Sequence, residues 1–357
     1  MSFKEIHRAL RVLHEDPDEE FLFEIRAPKH PNKKNPDRPF TKMGWFLNNE
    51  DGLLNAADAI WELNRQALVP AIYTTLNPVR NIERFEVRDE IGYQKEGTTT
   101  DEDIRYRRWL LIDVDPERPS GLSATDEEKA AAFEVLERVR TGLRDQGFPE
   151  PVVGDSGNGG HLLYSIRFPN DPEVTKRVEF FLKMLDYEFS NEAASIDTVV
   201  SNAARISKVY GTLSRKGEDT EERPHRQSKL IEVPERIEPV DPALFKTLTD
   251  PAFRVAPRRA MACRSSFRGS RTLHSGKSFD VRDLLNRARI GYRVAHKGSA
   301  TLYHLDECPI DNSHDKGTTD TTVFEDASGV LGFKCLHNRC QGHGWHAARE
   351  RLEAMAQ

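Results

Sequence analysis

"WLLIDVDPERP", residues 109 to 119, decides how this chain is read. An apolar run leads into two aspartates one residue apart, and a proline follows at once. Read as a strand, alternate side chains share a face, so Asp113 and Asp115 point the same way. Val114 turns back into the core with Leu111. Two neighbouring carboxylates repel, and they persist where something positive lies between them. A hard divalent cation bound through oxygen is the usual occupant. Carboxylate-held metals at a strand end commonly serve phosphoryl or nucleotidyl transfer. Pro116 stops the strand from pairing further, and Arg118 reads as a turn residue within reach of phosphate.

Working outward, strand and helix patterns alternate over residues 21–230. Residues 56–66 read as a helix and 71–76 as a strand. Residues 125–147 form a helix with a Thr125/Glu128 capping box, an apolar stripe of Phe133, Leu136, Val139 and Leu143, and Gly147 at its end. Residues 151–166 read strand, tight turn, strand, with Asn158-Gly159 supplying positive φ. Asp171 and Pro172 open a helix over 171–189, and 205–213 read as another strand. Phe3, Ile6, Leu10 and Leu13 fall at helical spacing. The fold class is α+β, with helices covering a sheet. The first domain spans 1–235. Residues 236–275, rich in Pro, Arg and Ser, read as a basic linker, and 276–357 as a small second domain.

The chain has 357 residues, enough for two or three domains, and 31% are charged. No apolar run approaches the roughly 20 residues of a membrane helix, and the opening residues do not read as a signal peptide. The expectation is a cytoplasmic protein without membrane contact. The net charge of -6 hides a basic stretch, 254–277, with seven Lys/Arg and no acid. Of the four cysteines, Cys308, Cys335 and Cys340 lie near the end among histidines, which reads as metal binding before disulfides. Cys263 stands alone in the linker.

Two further stretches carry chemistry. In "GDSGNGGHLLY" (154–164) the glycines let amides converge on an anion, with Ser156, Gly157 and Asn158 in the turn and His161 opening the next strand. "IDTVVSNAARISKVYGTLSRKG" (196–217) supplies Asp197, then Arg205, Lys208 and Lys216 as cations for a triphosphate.

"LLIDVD", "SGNGGH", "ID" at 196–197 and "ARISKVYGTLSRKG" occur in the order of the three motifs of the archaeo-eukaryotic primase superfamily. The chain resembles its primase-polymerase branch, found in phages, plasmids and mobile elements. The resemblance implies a catalytic core with an RRM-like mixed sheet flanked by helices, over about residues 20–230. It implies that Asp113, Asp115 and Asp197 hold two Mg2+ or Mn2+ ions. It implies that Ser156 and His161 contact the incoming triphosphate, with Arg205 and Lys208 completing that pocket. Asn77 and Arg80, in "YTTLNPVR" (73–80), would line the nucleotide or template side. The implied activity is template-dependent primer synthesis or extension on single-stranded DNA from ribo- or deoxynucleoside triphosphates. The chain carries no Walker A sequence, so it works alone or beside a separate helicase.

The tail "CPIDNSHDKGTTDTTVFEDASGVLGFKCLHNRCQGHGW" (308–345) reads as a hairpin bearing ligands at both ends, a zinc-ribbon arrangement. Cys308, His314, Cys335 and Cys340 are the expected Zn2+ ligands, with His337 and His343 as substitutes. Rival readings are an initiator endonuclease using His161 and Tyr164, and a nucleic-acid-binding module with a degenerate site.

Overall fold

The computed structural model describes residues 2–32, 35, 37–80, 85, 90–94, 97–250, 281–297, 300–311, 321–325, 331–335, 340 and 344–356. The chain divides into two compact units, Met1–Phe253 and Arg254–Gln357.

The first unit runs α1 (Phe3–His14), β1 (Leu22–His30), β2 (Phe40–Leu47), α2 (Glu50–Arg65), β3 (Tyr73–Thr75), β4 (Tyr106–Pro116), α3 (Asp126–Asp145), β5 (Val152–Asp155), β6 (Gly160–Pro169), α4 (Pro172–Phe189) and β7 (Ala194–Ile196). It continues with β8 (Ile206–Lys208), β9 (Leu213–Ser214), β10 (Arg226–Gln227), β11 (Lys229–Glu232) and α5 (Pro242–Leu248). Two sheets result, with strand orders β2-β1-β3-β8 and β11-β5-β6-β4-β7, plus the β9–β10 ribbon. It is an α+β architecture, and every described strand pair is antiparallel. The expected mixed sheet is therefore corrected. β4 and β5 run parallel across the α3 crossover, but the tight turn after β5 folds β6 back between them, so they do not pair with each other.

Local chemistry explains the helices. The Thr125 hydroxyl accepts from the Glu128 amide at 3.1 Å, and the Glu128 carboxylate accepts from the Thr125 amide at 2.9 Å. Asp171 accepts from the Val174 amide, and Pro172 occupies the first turn of α4. Ile6, Leu10 and Leu13 of α1 are fully buried. The Glu5 carboxylate on α1 accepts from the Gln227 side chain at 2.6 Å, and a Cβ on Gly211 would lie 2.8 Å from Ile6. The start of the unit is thus stitched to its last strands.

Alternation along β4 puts Leu111 on the face of Asp113, not with Val114. Leu111 is buried all the same, at 5% exposure, because that face too is covered. Residues 236–250, read as linker, belong to the first unit. Asp241 caps α5, and Phe245 packs its ring against Phe168 and Phe181 at 5.0 and 5.2 Å. The Val240 amide donates to the Ser165 carbonyl at 2.9 Å. Prolines suggested a linker there, but Asp241-Pro242 starts a helix with an apolar face. The rest of the expected linker lies outside the described residues.

The second unit holds α6 (Val281–Arg287), the antiparallel meander β12 (Tyr292–Lys297), β13 (Ala300–Leu305), β14 (Thr321–Glu325) and β15 (Leu331–Cys335), and α7 (Trp345–Met355). Leu284, Leu285, Val323, Ala348 and Leu352 form its core with the three cysteines. Among the described residues no helix is long and apolar enough to cross a membrane.

Candidate active site and cysteine cluster

The second sheet of the first unit assembles a row of side chains across its strands. Gly154 on β5 pairs with His161 on β6, and His161 pairs with Asp113 on β4. Val114 pairs with Ile196 on β7, and the next amide, that of Asp197, donates to the Asp113 carbonyl at 2.8 Å. His161, Asp113 and Asp197 thus stand side by side. Asp115 lies two residues further along the same face, opposite Ser195. His161 Nε2 is 3.4 Å from Asp113 Oδ1, and its Nδ1 is 2.7 Å from the Tyr210 hydroxyl. An imidazole that donates from Nε2 to the carboxylate accepts at Nδ1 from the phenol.

Charge around this row is strongly coupled. Burial alone would raise the Asp113 carboxyl, but His161, with Lys216 and Arg205, outweighs it and holds the pKa below its ordinary value. Asp115 moves the other way, raised by burial and by the charge of Asp113. Burial opposes the charged form of His161, yet Asp113 more than offsets this and raises its pKa. Arg118 leans on Asp115 at 3.4 Å with its side chain only 8% exposed, so it is not a solvated turn residue. Lys208 on β8 lies over the Tyr73 ring at 5.7 Å. Burial, with Lys216 and Arg215 nearby, pushes its ammonium down to about 7. The Tyr73 phenol is raised by burial and by Asp113 and Asp115, so the first sheet faces the acids here.

Several expected roles change. The turn after β5 does not offer free amides to a phosphate. The Gly157 amide donates to Asp155 Oδ1 at 2.7 Å, and the Gly159 amide to Ser156 Oγ at 3.0 Å. Ser156 Oγ also accepts from the Asn158 amide at 3.4 Å. The Asn158 side chain accepts from the Ala124 amide and donates to Ser214, tying the loop before α3 to β9. Positive φ falls at Gly157 and not at Asn158-Gly159. The glycines are numerous because neighbours sit on them: a Cβ on Gly159 would collide with the Val114 carbonyl, and one on Gly154 with Tyr210. His161 is buried with both ring nitrogens engaged, so it positions Asp113 and has no donor left for a triphosphate. Asn77 is spent too. Its carbonyl accepts from the Arg108 and Trp109 amides, and its NH2 donates to the Ala203 carbonyl.

Arg80 is exposed, and Arg205 donates to the Val199 carbonyl. Sequence reasoning missed Asp155, which is buried and paired with Lys129 at 2.7 Å, and the role of Tyr210. Only the spacing of Gly154 and Tyr210 in space reveals that role. Gly154→Ala is expected to destabilise the unit by about 2 kcal/mol and to uncouple Tyr210 from His161, as read by urea melts and histidine NMR.

In the second unit, Cys308, Cys335 and Cys340 are all buried, with sulfurs within 4.8 Å of one another. The Cys308 and Cys340 sulfurs are 3.7 Å apart, and the Thr321 hydroxyl donates to Cys335 at 3.4 Å. Burial and the two neighbouring sulfurs push the Cys340 thiol up to about 12. Three buried thiols at this spacing form a set that can bind a metal, compatible with structural zinc. Among the described residues this is the one set of three ligand-type side chains converging so closely; the acids share a row without closing to that spacing. His314, His337, His343 and Cys263 lie outside the described residues. No family model, curated protein or solved structure matches the chain.

Proposed function

We propose that the first unit is a template-directed nucleotidyltransferase of the primase-polymerase class, acting on single-stranded DNA and nucleoside triphosphates. The observation that carries this reading is the row of His161, Asp113 and Asp197 with Asp115 beside it, set among Lys216, Lys208, Arg118 and Arg205. The donor set suits Mg2+ or Mn2+: the acids offer hard oxygens, and the raised Asp115 carboxyl marks a repulsion that a cation relieves. Asp113, Asp115 and Asp197 would hold the ions, which supply activation of an attacking hydroxyl and neutralisation of phosphate charge. His161 keeps Asp113 ionised and oriented. Lys216, Lys208 and Arg118 draw the triphosphate toward the acids and offset its charge. In the second unit the cysteine cluster holds zinc and keeps the fold together.

Primer synthesis tests the reading. Full-length chain is given unprimed single-stranded DNA, labelled ribo- or deoxynucleotides, and Mg2+ or Mn2+. Short products from wild type that vanish in Asp113→Ala/Asp115→Ala support it. DNA binding without synthesis under any of these conditions leaves the degenerate binding module. The endonuclease reading has an obstacle in Tyr164, which is 1% exposed and lies on the face of β6 opposite His161.

Lys208 gives an independent check. Its folded pKa lies below the 10.5 of an ordinary lysine, so the unfolded chain binds more protons between about 7 and 10.5, and stability rises with pH across that window. A triphosphate beside it restores the ammonium. Nucleotide binding at pH 7.5 is therefore expected to take up roughly half a proton or more, measured calorimetrically in buffers of different ionisation enthalpy. Lys208→Met removes the uptake.

A further inference from the structure

Arg107, on β4, is 3% exposed and makes no ion pair among the described residues. Its Nη1 donates to the Ser201 carbonyl and its Nη2 to the Thr175 hydroxyl, both at 2.7 Å, while its Nε is buried without a partner. Arg205 repeats the pattern: Nη2 reaches the Val199 carbonyl, and Nε is buried and unpartnered. Both side chains line one cavity, together with Asn77, Asn202 and apolar residues, and no carboxylate lines it. Asp101 and Asp171 are near enough for Arg107 to feel, but neither pairs with it. Asp101 is spent on the Asn202 side chain and the Ala204 amide.

A buried guanidinium without a counter-charge is costly, and an unmade donor bond adds to that cost. Arg107 is such a group, and Arg205, partly buried and near enough to Asp113 to lower its pKa, adds a second positive charge to the same cavity, which an anion would pair with. The empty space is ≈ 280 Å³, but part of it is open to solvent. The enclosed part has room for about one water-sized atom group, so a whole nucleotide does not enter.

The geometry points to a phosphate subsite in this cavity. One non-bridging oxygen of a strand phosphodiester enters between the two Nε–H groups, and the rest of the phosphate stays at the open mouth. This rests on the nucleotidyltransferase reading for the identity of the strand. Arg107 lies six residues before Asp113 on β4, while Arg205 on the same cavity is near enough to lower the Asp113 pKa, so the strand gripped here is the one held at the acids.

The test uses the full chain in two arms. In the first, inorganic phosphate replaces chloride at matched ionic strength during thermal melting. The wild-type melting temperature is expected to rise by about 2 °C or more. The rise persists in Asp113→Asn/Asp115→Asn and is lost in Arg205→Gln, whose side chain is only partly buried, and in Arg107→Lys. In the second arm, single-stranded DNA oligomers of increasing length are titrated. Affinity is expected to step up about tenfold once the strand is long enough to reach from the acids into the cavity, and Arg205→Gln removes the step and lowers the log–log salt slope by about 0.7. No phosphate response and no length step would mean that the cavity holds an internal water only, and the proposal fails. A response to triphosphate nucleotides that oligomers do not reproduce overturns the strand assignment. Wild type that shows both responses yet synthesises nothing sinks the polymerase reading and leaves the subsite standing.

Discussion

Asp113→Asn is expected to lower nucleotide incorporation by about 10³-fold or more while the chain stays folded. The amide keeps the shape of the carboxylate, and the backbone link from the Asp197 amide to the Asp113 carbonyl is untouched. What goes is the charge that the site is built around. His161 reports the loss separately. Burial alone would lower its pKa, and the charge of Asp113 is the main effect that raises it instead. In wild type the group contributes stability that is present at low pH and is lost as pH rises through the folded His161 pKa. In the variant only the smaller effects of Asp115 and Asp155 remain to oppose burial, so the His161 pKa falls and that contribution shrinks. Steady-state incorporation assays and histidine NMR titration read the two effects. A variant that retains more than a tenth of wild-type incorporation would remove Asp113 from the chemistry.

Metal removal is expected to have the largest effect on stability. Elemental analysis should find one zinc ion per chain, and a chelator should abolish the cooperative melting of the second unit while the first melts as before. Structural zinc sites contribute on the order of 10 kcal/mol at neutral pH, more than a small core supplies by itself. Cys308, Cys335 and Cys340 sit inside that core, so losing the ion leaves three thiols in apolar surroundings. Because the Cys340 thiol stands near 12 without metal, the ion must displace its proton, and affinity should fall as pH is lowered. Cys335→Ser should bind weakly or not at all. Identical melting with and without metal would leave three structural thiols.

Elements whose signals are local were legible from the sequence. The Thr125 box, the Asp171-Pro172 start and the spacing of Ile6, Leu10 and Leu13 each specify a helix through near neighbours. The pairing of Asp113 with Asp115 was legible for the same reason, since strand alternation is a two-residue rule. Roles that depend on distant partners were not. Asn77 was readable as a site residue only until Arg108, Trp109 and Ala203 were seen to consume its amide. The glycines of the turn suggested an anion nest, because the Val114 carbonyl and the Tyr210 ring that crowd them are remote in sequence. Arg107 gave no motif at all; its unpartnered nitrogen exists only in three dimensions.

The stitching of α1 to Gly211 and Gln227 has a consequence for how this protein is made. Synthesis delivers α1 more than two hundred residues before its partners Gly211 and Gln227. The sheet bearing the acids also needs β11 at its edge and α5 beneath it. Until β11 has been made, β5 lacks its edge partner and α1 lacks its ties to Gly211 and Gln227, although its apolar stripe can already pack on α2 and β1. Contacts this far apart in sequence make folding slow, so the nascent chain passes through a long exposed stage in which chaperone binding competes with self-association.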